Sequence, residues 1–349
     1  MKLAERGEFG IIAALRQRCA GAEGLLTGIG DDCAVIAPLS GEQLLVTSDM
    51  LVEGVHFRRD WTDPVRLGRK CASVNLSDLA AMGATPRYLF LALALPGDLD
   101  TVFLDAFFDG FLAVCSEHGA VLAGGDTCAA PAGMTVSVTA LGSVATGKAL
   151  LRSGAIAGDA IYVSGSLGDS ALALQQLLTG RVPDPDLARR HHDPQPRVAL
   201  GCALARAGLA SAMIDVSDGL LADLGHLLAA SGVGARIDTD ALPLSGPFRQ
   251  ALRETPALGD LPLTGGEDYE LLFTAPETAA VALADLGQET GIPVTRIGAI
   301  QPAGSGLHLL VKGQQRPLPG TRGYKHFAVA PESCILSDVC AIREDVSRR

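Results

Sequence analysis

The chain has 349 residues, more than one typical hydrophobic core uses and about the length of two α/β domains. Its residues are 48% hydrophobic but only 4% aromatic, so it builds a large aliphatic core, and whole-chain disorder is excluded. A formal charge of −11, from 28 basic and 39 acidic residues, argues against nucleic acid or an anionic membrane surface as the main partner.

Phe9, Ile12 and Leu15 predict an amphipathic helix over 8–19. The start of the chain holds Glu5 and Glu8 and only a short apolar run, and does not read as a signal peptide. No apolar run approaches membrane-spanning length, and the 8 cysteines form no C-x-x-C pair. The expectation is a cytoplasmic protein with reduced, packed cysteines. Residues 28–57 then place Asp31, Asp32 and Asp49 in loops beside apolar runs, with His56 seven residues after Asp49. No basic side chain lies within that stretch. Grouped carboxylates repel unless water, a basic group or a metal offsets them, so this stretch reads as half of a divalent-metal site for phosphate chemistry.

Strands are predicted at 34–37 and 43–48, around a Pro/Ser/Gly turn. Pro64 opens a helix to residue 82 that carries Asn75, Ser77 and Asp78 and stops at Gly83. The unbroken apolar run 88–95 reads as a strand covered on both faces. A helix over 99–118 follows, then a short strand at 121–123, broken by Gly124-Gly125-Asp126-Thr127, and a strand over 134–144. A composition shift at Arg152-Ser153-Gly154 marks a boundary. Beyond it come a strand at 160–164, a helix from 169, and a proline-rich helix pair or excursion at 180–196. A strand end at 213–216 leads to a helix to 231, with Ser217 or Asp218 as its cap. Strands at 271–274, 294–300 and 307–311 complete the pattern, and a mixed tail follows residue 327. The predicted architecture is α+β, two units of mixed α/β layers.

Two motifs fall short. Gly142 to Lys148 matches the start of a P-loop, but Ala149 stands where the magnesium-binding hydroxyl belongs and no long helix follows. Gly28-Ile29-Gly30 starts like a dinucleotide fingerprint, but Cys33 replaces its third glycine. What remains is acidic: Asp31/Asp32, Thr47-Ser48-Asp49, Asp78, Asp126, and Asp215 with Ser217-Asp218. Each has a plain structural alternative, as a turn residue, a helix cap or a solvated face. Together, spread single aspartates suit several magnesium ions shared with a polyphosphate, because magnesium takes one or two carboxylates and leaves its other positions to water and phosphate. Only five lysines occur (Lys2, Lys70, Lys148, Lys312 and Lys325), so metal would supply much of the positive charge.

Ten blocks occur in order: GEF (7–9), GIGDDCAV (28–35), TSDMLVEGVHF (47–57), NLSDLAAMGA (75–84), GGDT (124–127), RSGA (152–155), GDS (168–170), IDVSDGL (214–220), GGEDYELLF (265–273) and GYKHF (323–327). Together they closely resemble the thiamine-monophosphate kinase family, over nearly the whole chain to Phe327. The resemblance implies a two-domain fold of the aminoimidazole-ribonucleotide-synthetase type. Residues 1–150 would form an ATP- and magnesium-binding dimerisation domain and 151–327 a C-terminal α+β domain, with 328–349 as a tail. It implies a homodimer with paired N-terminal domains, and transfer of phosphate from ATP to thiamine monophosphate with Mg2+. It places metal ligands at Asp32, Thr47, Ser48, Asp49, Asp78, Asp126, Asp215 and Asp218. Nucleotide contacts fall at Gly125, Asp126, Arg152 and Ser217, and substrate contacts at His56, Glu267 and Tyr324. The chain departs at Cys128, where a second Thr is common, and in its tail. Rival readings are a selenophosphate-synthetase-like enzyme and a non-catalytic magnesium- or nucleotide-binding protein. The former carries an N-terminal Cys and a glycine-rich Lys segment, whereas residues 1–27 hold only Cys19 and Lys2.

Overall fold

A computed structural model describes residues 3–19, 21–29 and 34–324. Its first part runs α1 (Leu3–Arg18), β1 (Leu25–Thr27), β2 (Val35–Ile36), β3 (Glu42–Val52), α2 (Pro64–Ala81), β4 (Thr85–Pro96), α3 (Thr101–Glu117), β5 (Val121–Ala130) and β6 (Thr135–Ala145). Its second runs β7 (Ala160–Ser164), α4 (Asp169–Leu178), α5 (Pro185–His192), α6 (Val198–Ala207), β8 (Ala212–Asp215), α7 (Leu220–Ser231), β9 (Gly234–Asp238), α8 (Gly246–Glu254), α9 (Leu261–Thr264), β10 (Leu271–Ala275), α10 (Ala280–Thr290), β11 (Val294–Gln301), β12 (Leu307–Val311) and β13 (Gln314–Arg316). Among the described residues, β1 and β2 pair alone, four strands join in the order β3-β6-β4-β5, and seven in the order β13-β12-β9-β11-β7-β10-β8.

Helices α2 and α3 cover one face of the four-stranded sheet. Pro64 starts α2 as expected, and the Asp63 side chain accepts from the Arg66 N–H at 2.9 Å. The two helices cross closely because glycine sits at both contact points. A Cβ on Gly68 would lie 2.0 Å from Phe107 O, and one on Gly110 would lie 1.9 Å from Val65 O. The seven-stranded sheet is covered on both faces, so β7 reads apolar without alternation: Tyr162 joins the core shared with α2, while Ile161 and Val163 join the core under α7. Tyr162 stacks on Phe273 of β10 with centroids 5.5 Å apart. Through α6 and β8 the second sheet also packs on α2, which is therefore buried on nearly every side.

Three expectations need correction. Asp49 lies inside β3, which runs on to Val52, not in a loop. Gly124 to Thr127 do not break their strand, because β5 continues through them to Ala130 and pairs in parallel with β4. Gly125 fits there by lacking a side chain, since a Cβ would lie 1.9 Å from Leu91 O. Neither Ser217 nor Asp218 caps α7. Gly219 takes that position, and Asp223, from within the helix, accepts the N–H groups of Ser217, Asp218 and Gly219 at 3.0–3.2 Å. Asp31, Asp32 and the tail 328–349 lie outside the described residues.

Candidate active site

Because α2 is buried between the two sheets, its polar side chains have to find partners inside the protein. Asn75 donates to Cys71 O at 3.1 Å and accepts the N–H of Asp49, on the edge strand β3, at 3.1 Å. Ser77 donates to Asp215 Oδ2 at 2.6 Å, at the end of β8. Thr47 donates to Asp78 Oδ2. One helix thus draws Thr47 and Asp49 from the first sheet together with Asp215 from the second.

The electrostatics of this group are one-sided. Burial, then the charge of Asp78, pushes the Asp49 carboxyl up to about 6. Burial, then Asp78, pushes Asp215 up to about 8, against the Ser77 hydrogen bond and with Asp223 and Asp49 adding to the rise. Burial also raises Asp78, opposed by the Thr47 hydrogen bond and by the charge of Arg152. Asp215 is 4% exposed and has no salt bridge to a basic side chain among the described residues. Among the described residues the site therefore gathers three carboxylates with no salt bridge to a basic side chain, and Arg152 acts on Asp78 through its charge.

The remaining acids separate by sheet face. Leu45, Thr47, Asp49 and Leu51 point toward α2, and by the two-residue period Ser48 points away. Ser48 donates to Val138 O at 3.2 Å and lies 3.1 Å from the Thr139 hydroxyl. Asp126 pairs with Ala92, which pairs with Ser137 and so with Met50, placing it on the same outward face as Ser48. It lies three strands from β3, about 14 Å at ordinary strand spacing. Within one chain, Ser48 and Asp126 thus stand apart from Asp49, Asp78 and Asp215.

The substrate-side residues gather around two interlocked loops. Glu267 N–H donates to Ser217 O at 2.7 Å, and Tyr269 N–H to Val216 O at 2.8 Å. The Tyr324 N–H donates to Asp218 O at 3.0 Å, bringing Tyr324, Ser217, Asp218 and Glu267 together. Arg152 is exposed and acts electrostatically on Asp78. Gly125 lies on β5 beside Asp126. His56 accepts the Val52 N–H on Nδ1 at 3.0 Å, which puts the proton of a neutral ring on Nε2. Val52 lies three residues, about 10 Å, along β3 from Asp49.

A cavity of about 380 Å3 lined by Gly165, Ser166, Asp169, Arg190, Arg197 and Glu270, among others, includes none of the residues expected from the sequence. Two acids of the cavity, Asp169 and Glu270, already have arginine partners.

Residues 30–144 match the family model for the N-terminal domain of AIR synthase related proteins, and residues 157–309 the model for the C-terminal domain. The thiamine-monophosphate kinase of Salmonella typhimurium is 44% identical over 331 residues, which cover 92% of this chain and 98% of that protein. The chain belongs to the thiamine-monophosphate kinase family. The Escherichia coli K12 member is 43% identical over 328 residues. The crystal structure of thiamine-monophosphate kinase from Stenotrophomonas maltophilia matches at a TM-score of 0.79 and 44% identity, covering 88% of this chain and 97% of that one. AaThiL, complexed with AMPPCP and TMP, matches at a TM-score of 0.72 and 33% identity, covering 94% of this chain and 99% of that one.

Among the described residues, no three His, Cys, Asp or Glu side chains converge tightly enough to hold a metal alone. Asp49, Asp78, Asp215 and Thr47 present the hard oxygen donors that magnesium prefers. Sequence reading missed Asn75 and Ser77 as organisers, Asp223 as the acid that shapes the 217–219 loop, and Lys70. Lys70 had a signal: one of five lysines, seven residues before Ser77 and so on the same helix face.

Proposed function

We propose that the protein transfers the γ-phosphoryl group of ATP in line to thiamine monophosphate, giving ADP and thiamine diphosphate, in the cytoplasm. The observation that carries this is the gathering of Asp49, Asp78 and Asp215 by α2, with no salt bridge to any of them among the described residues and only the charge of Arg152 acting on Asp78. A relative has been solved with AMPPCP and TMP, which supports the ligand pair. Residues 1–150 and 151–327 are read as the two domains, with the cleft between their sheets as the site.

The acceptor is a phosphate monoester with a second pKa near 6, so it is mostly dianionic at neutral pH and needs no general base. The obstacle is repulsion, about 4 kcal/mol for each pair of unit charges at 4 Å and an effective dielectric of 20. Several Mg2+ ions, held by Asp32, Thr47, Ser48, Asp49, Asp78, Asp126, Asp215 and Asp218, would offset that repulsion and align the phosphates when bound. Arg152 adds a fixed charge toward the nucleotide, whose other contacts are Gly125, Asp126 and Ser217. His56 donates from Nε2 to the acceptor phosphate, and Glu267 and Tyr324 hold the thiamine end.

The outward face of β3 exposes Leu44 (58%), Val46 (61%) and Met50 (57%), an apolar stripe that we assign to a second copy of the chain. Pairing there brings the outward Ser48 and Asp126 against a partner. Val46→Glu is expected to shift the protein from dimer to monomer in sedimentation, and an unchanged dimer refutes that assignment. The reaction itself is tested by a coupled ADP-release assay. Steady Mg2+-dependent turnover is expected with thiamine monophosphate and none with unphosphorylated thiamine. ATP–Mg2+ binding without turnover would point to a non-catalytic binding protein.

A further inference from the structure

Lys70 lies on α2 and is 2% exposed, a burial that an ammonium group tolerates only with a partner. Its Nζ lies 3.0 Å from Glu267 Oε1, so the ion pair joins the central helix to the 265–270 loop. The Glu267 side chain remains 24% exposed and is open on one side. Its backbone has φ +65°, and that of Tyr269 +50°, left-handed values that side chains other than glycine rarely take. Such strain persists only where surrounding contacts enforce it, and it concentrates at ligand clamps.

Among the described residues, no second Lys or Arg forms an ion pair with Glu267. His191 Nδ1 lies 3.3 Å from Glu267 Oε2 and 2.9 Å from the Ser170 hydroxyl. Burial, then the charge of Lys70, holds His191 well below its usual pKa, and the same two causes bring His192 down to about 4. Both rings are neutral, and Lys70 carries the positive charge at Glu267. Lys70 and Asp78 are eight residues apart on one helix, a rise of about 12 Å. Glu267 and the acidic group both act electrostatically on Tyr269. One rigid helix therefore sets the separation between a carboxylate clamp and a phosphate-transfer end.

We propose that Lys70 is a positioning residue for substrate recognition: its buried ammonium fixes Glu267 Oε1 while Oε2 rests against the His191 ring, so that the exposed side of the carboxylate is presented to the amine-bearing heterocycle of thiamine phosphate. This rests on the reading of Glu267 as a substrate contact. Without Lys70, no Lys or Arg among the described residues is left to hold the carboxylate on its strained loop.

Steady-state kinetics of Lys70→Met, Lys70→Gln, Glu267→Gln and the pair Lys70→Met/Glu267→Gln test the proposal. KM for thiamine phosphate is expected to rise roughly 10- to 100-fold in each single variant. KM for ATP is expected to stay within about twofold, with kcat falling less than KM rises. The pair is expected to be no worse than Glu267→Gln alone, since both changes remove one interaction. Lys70→Gln, which keeps a hydrogen-bond donor, is the variant read if Lys70→Met does not fold. Equal rises in both KM values mark a merely structural role and overturn the proposal. An unchanged KM for thiamine phosphate in the Lys70 variants, beside a raised one in Glu267→Gln, overturns it and leaves the substrate reading standing. An unchanged KM in Glu267→Gln overturns that reading and the proposal with it.

Discussion

Glu270 and Asp215 lie at adjoining strand ends, where Leu271 of β10 pairs with Asp215 of β8, and both carboxylates are buried. Glu270 accepts from Arg197 Nε at 2.7 Å and Nη2 at 2.6 Å, from Arg190, and from the Ser164 hydroxyl. Burial alone would raise its pKa, but the Arg197 and Arg190 charges more than offset that and hold it below its ordinary value. Asp215 has Ser77 on one side and other aspartates around it, and burial with their charge raises it to about 8. An acid that the fold supplies with cations holds the structure together. An acid left among other acids gains from an external cation.

The strongest way to break this comparison is Glu270→Gln. It leaves Arg190 and Arg197 buried without their carboxylate and is expected to lower the free energy of unfolding by about 3–5 kcal/mol. Urea denaturation measures this, and an unchanged midpoint would remove Glu270 from its structural role. Asp215→Asn is expected to behave in the opposite way: kcat falls roughly 100- to 1000-fold with the fold intact. Asp218→Asn is expected to lose most of kcat as well. Wild-type turnover in either variant would contradict the metal assignment.

A smaller effect sharpens the same contrast. The Asp215 pKa is higher folded than unfolded, so the folded state holds its proton more tightly. Its ionisation therefore costs stability progressively as pH rises from about 4, and in full above about 8. His191 and His192, kept neutral by burial first, add stability only as pH rises to about 6.5, so a window of pH 7–8.5 reads the carboxylates. In that window the melting temperature of the Mg2+-free protein is expected to fall by a few degrees, and Asp215→Asn is expected to flatten the slope. Differential scanning fluorimetry measures both, and equal slopes would show that Asp215 carries no strain.

Much of this was legible in the sequence. The elements on either side of Arg152 fell near their predicted places, because apolar period, Pro64 and Gly83 state them directly. The opposite orientation of Thr47 and Ser48 follows from the two-residue strand period once β3 is known to continue. The face taken by Asp126 was not legible, since it depends on the parallel register of β5 on β4, a long-range pairing that local sequence does not encode. The same register explains why Gly124-Gly125 reads as a break and is not one: Gly125 admits close approach of the Leu91 backbone and Gly124 that of the Phe90 ring. The Lys70–Glu267 pair joins residues 197 positions apart in sequence, and only the packing of α2 against the second sheet brings them together.

The group of acids around Asp215, which form no salt bridge among the described residues, is proposed to take a divalent cation together with nucleotide phosphates. Calorimetric titration of Mg2+–AMPPCP into the wild-type protein and into Asp215→Asn at pH 8 tests it most directly. The account predicts binding to the wild type, and affinity weakened by roughly 100-fold or more in a variant that melts no lower than the wild type. Equal affinity in the two proteins would contradict it.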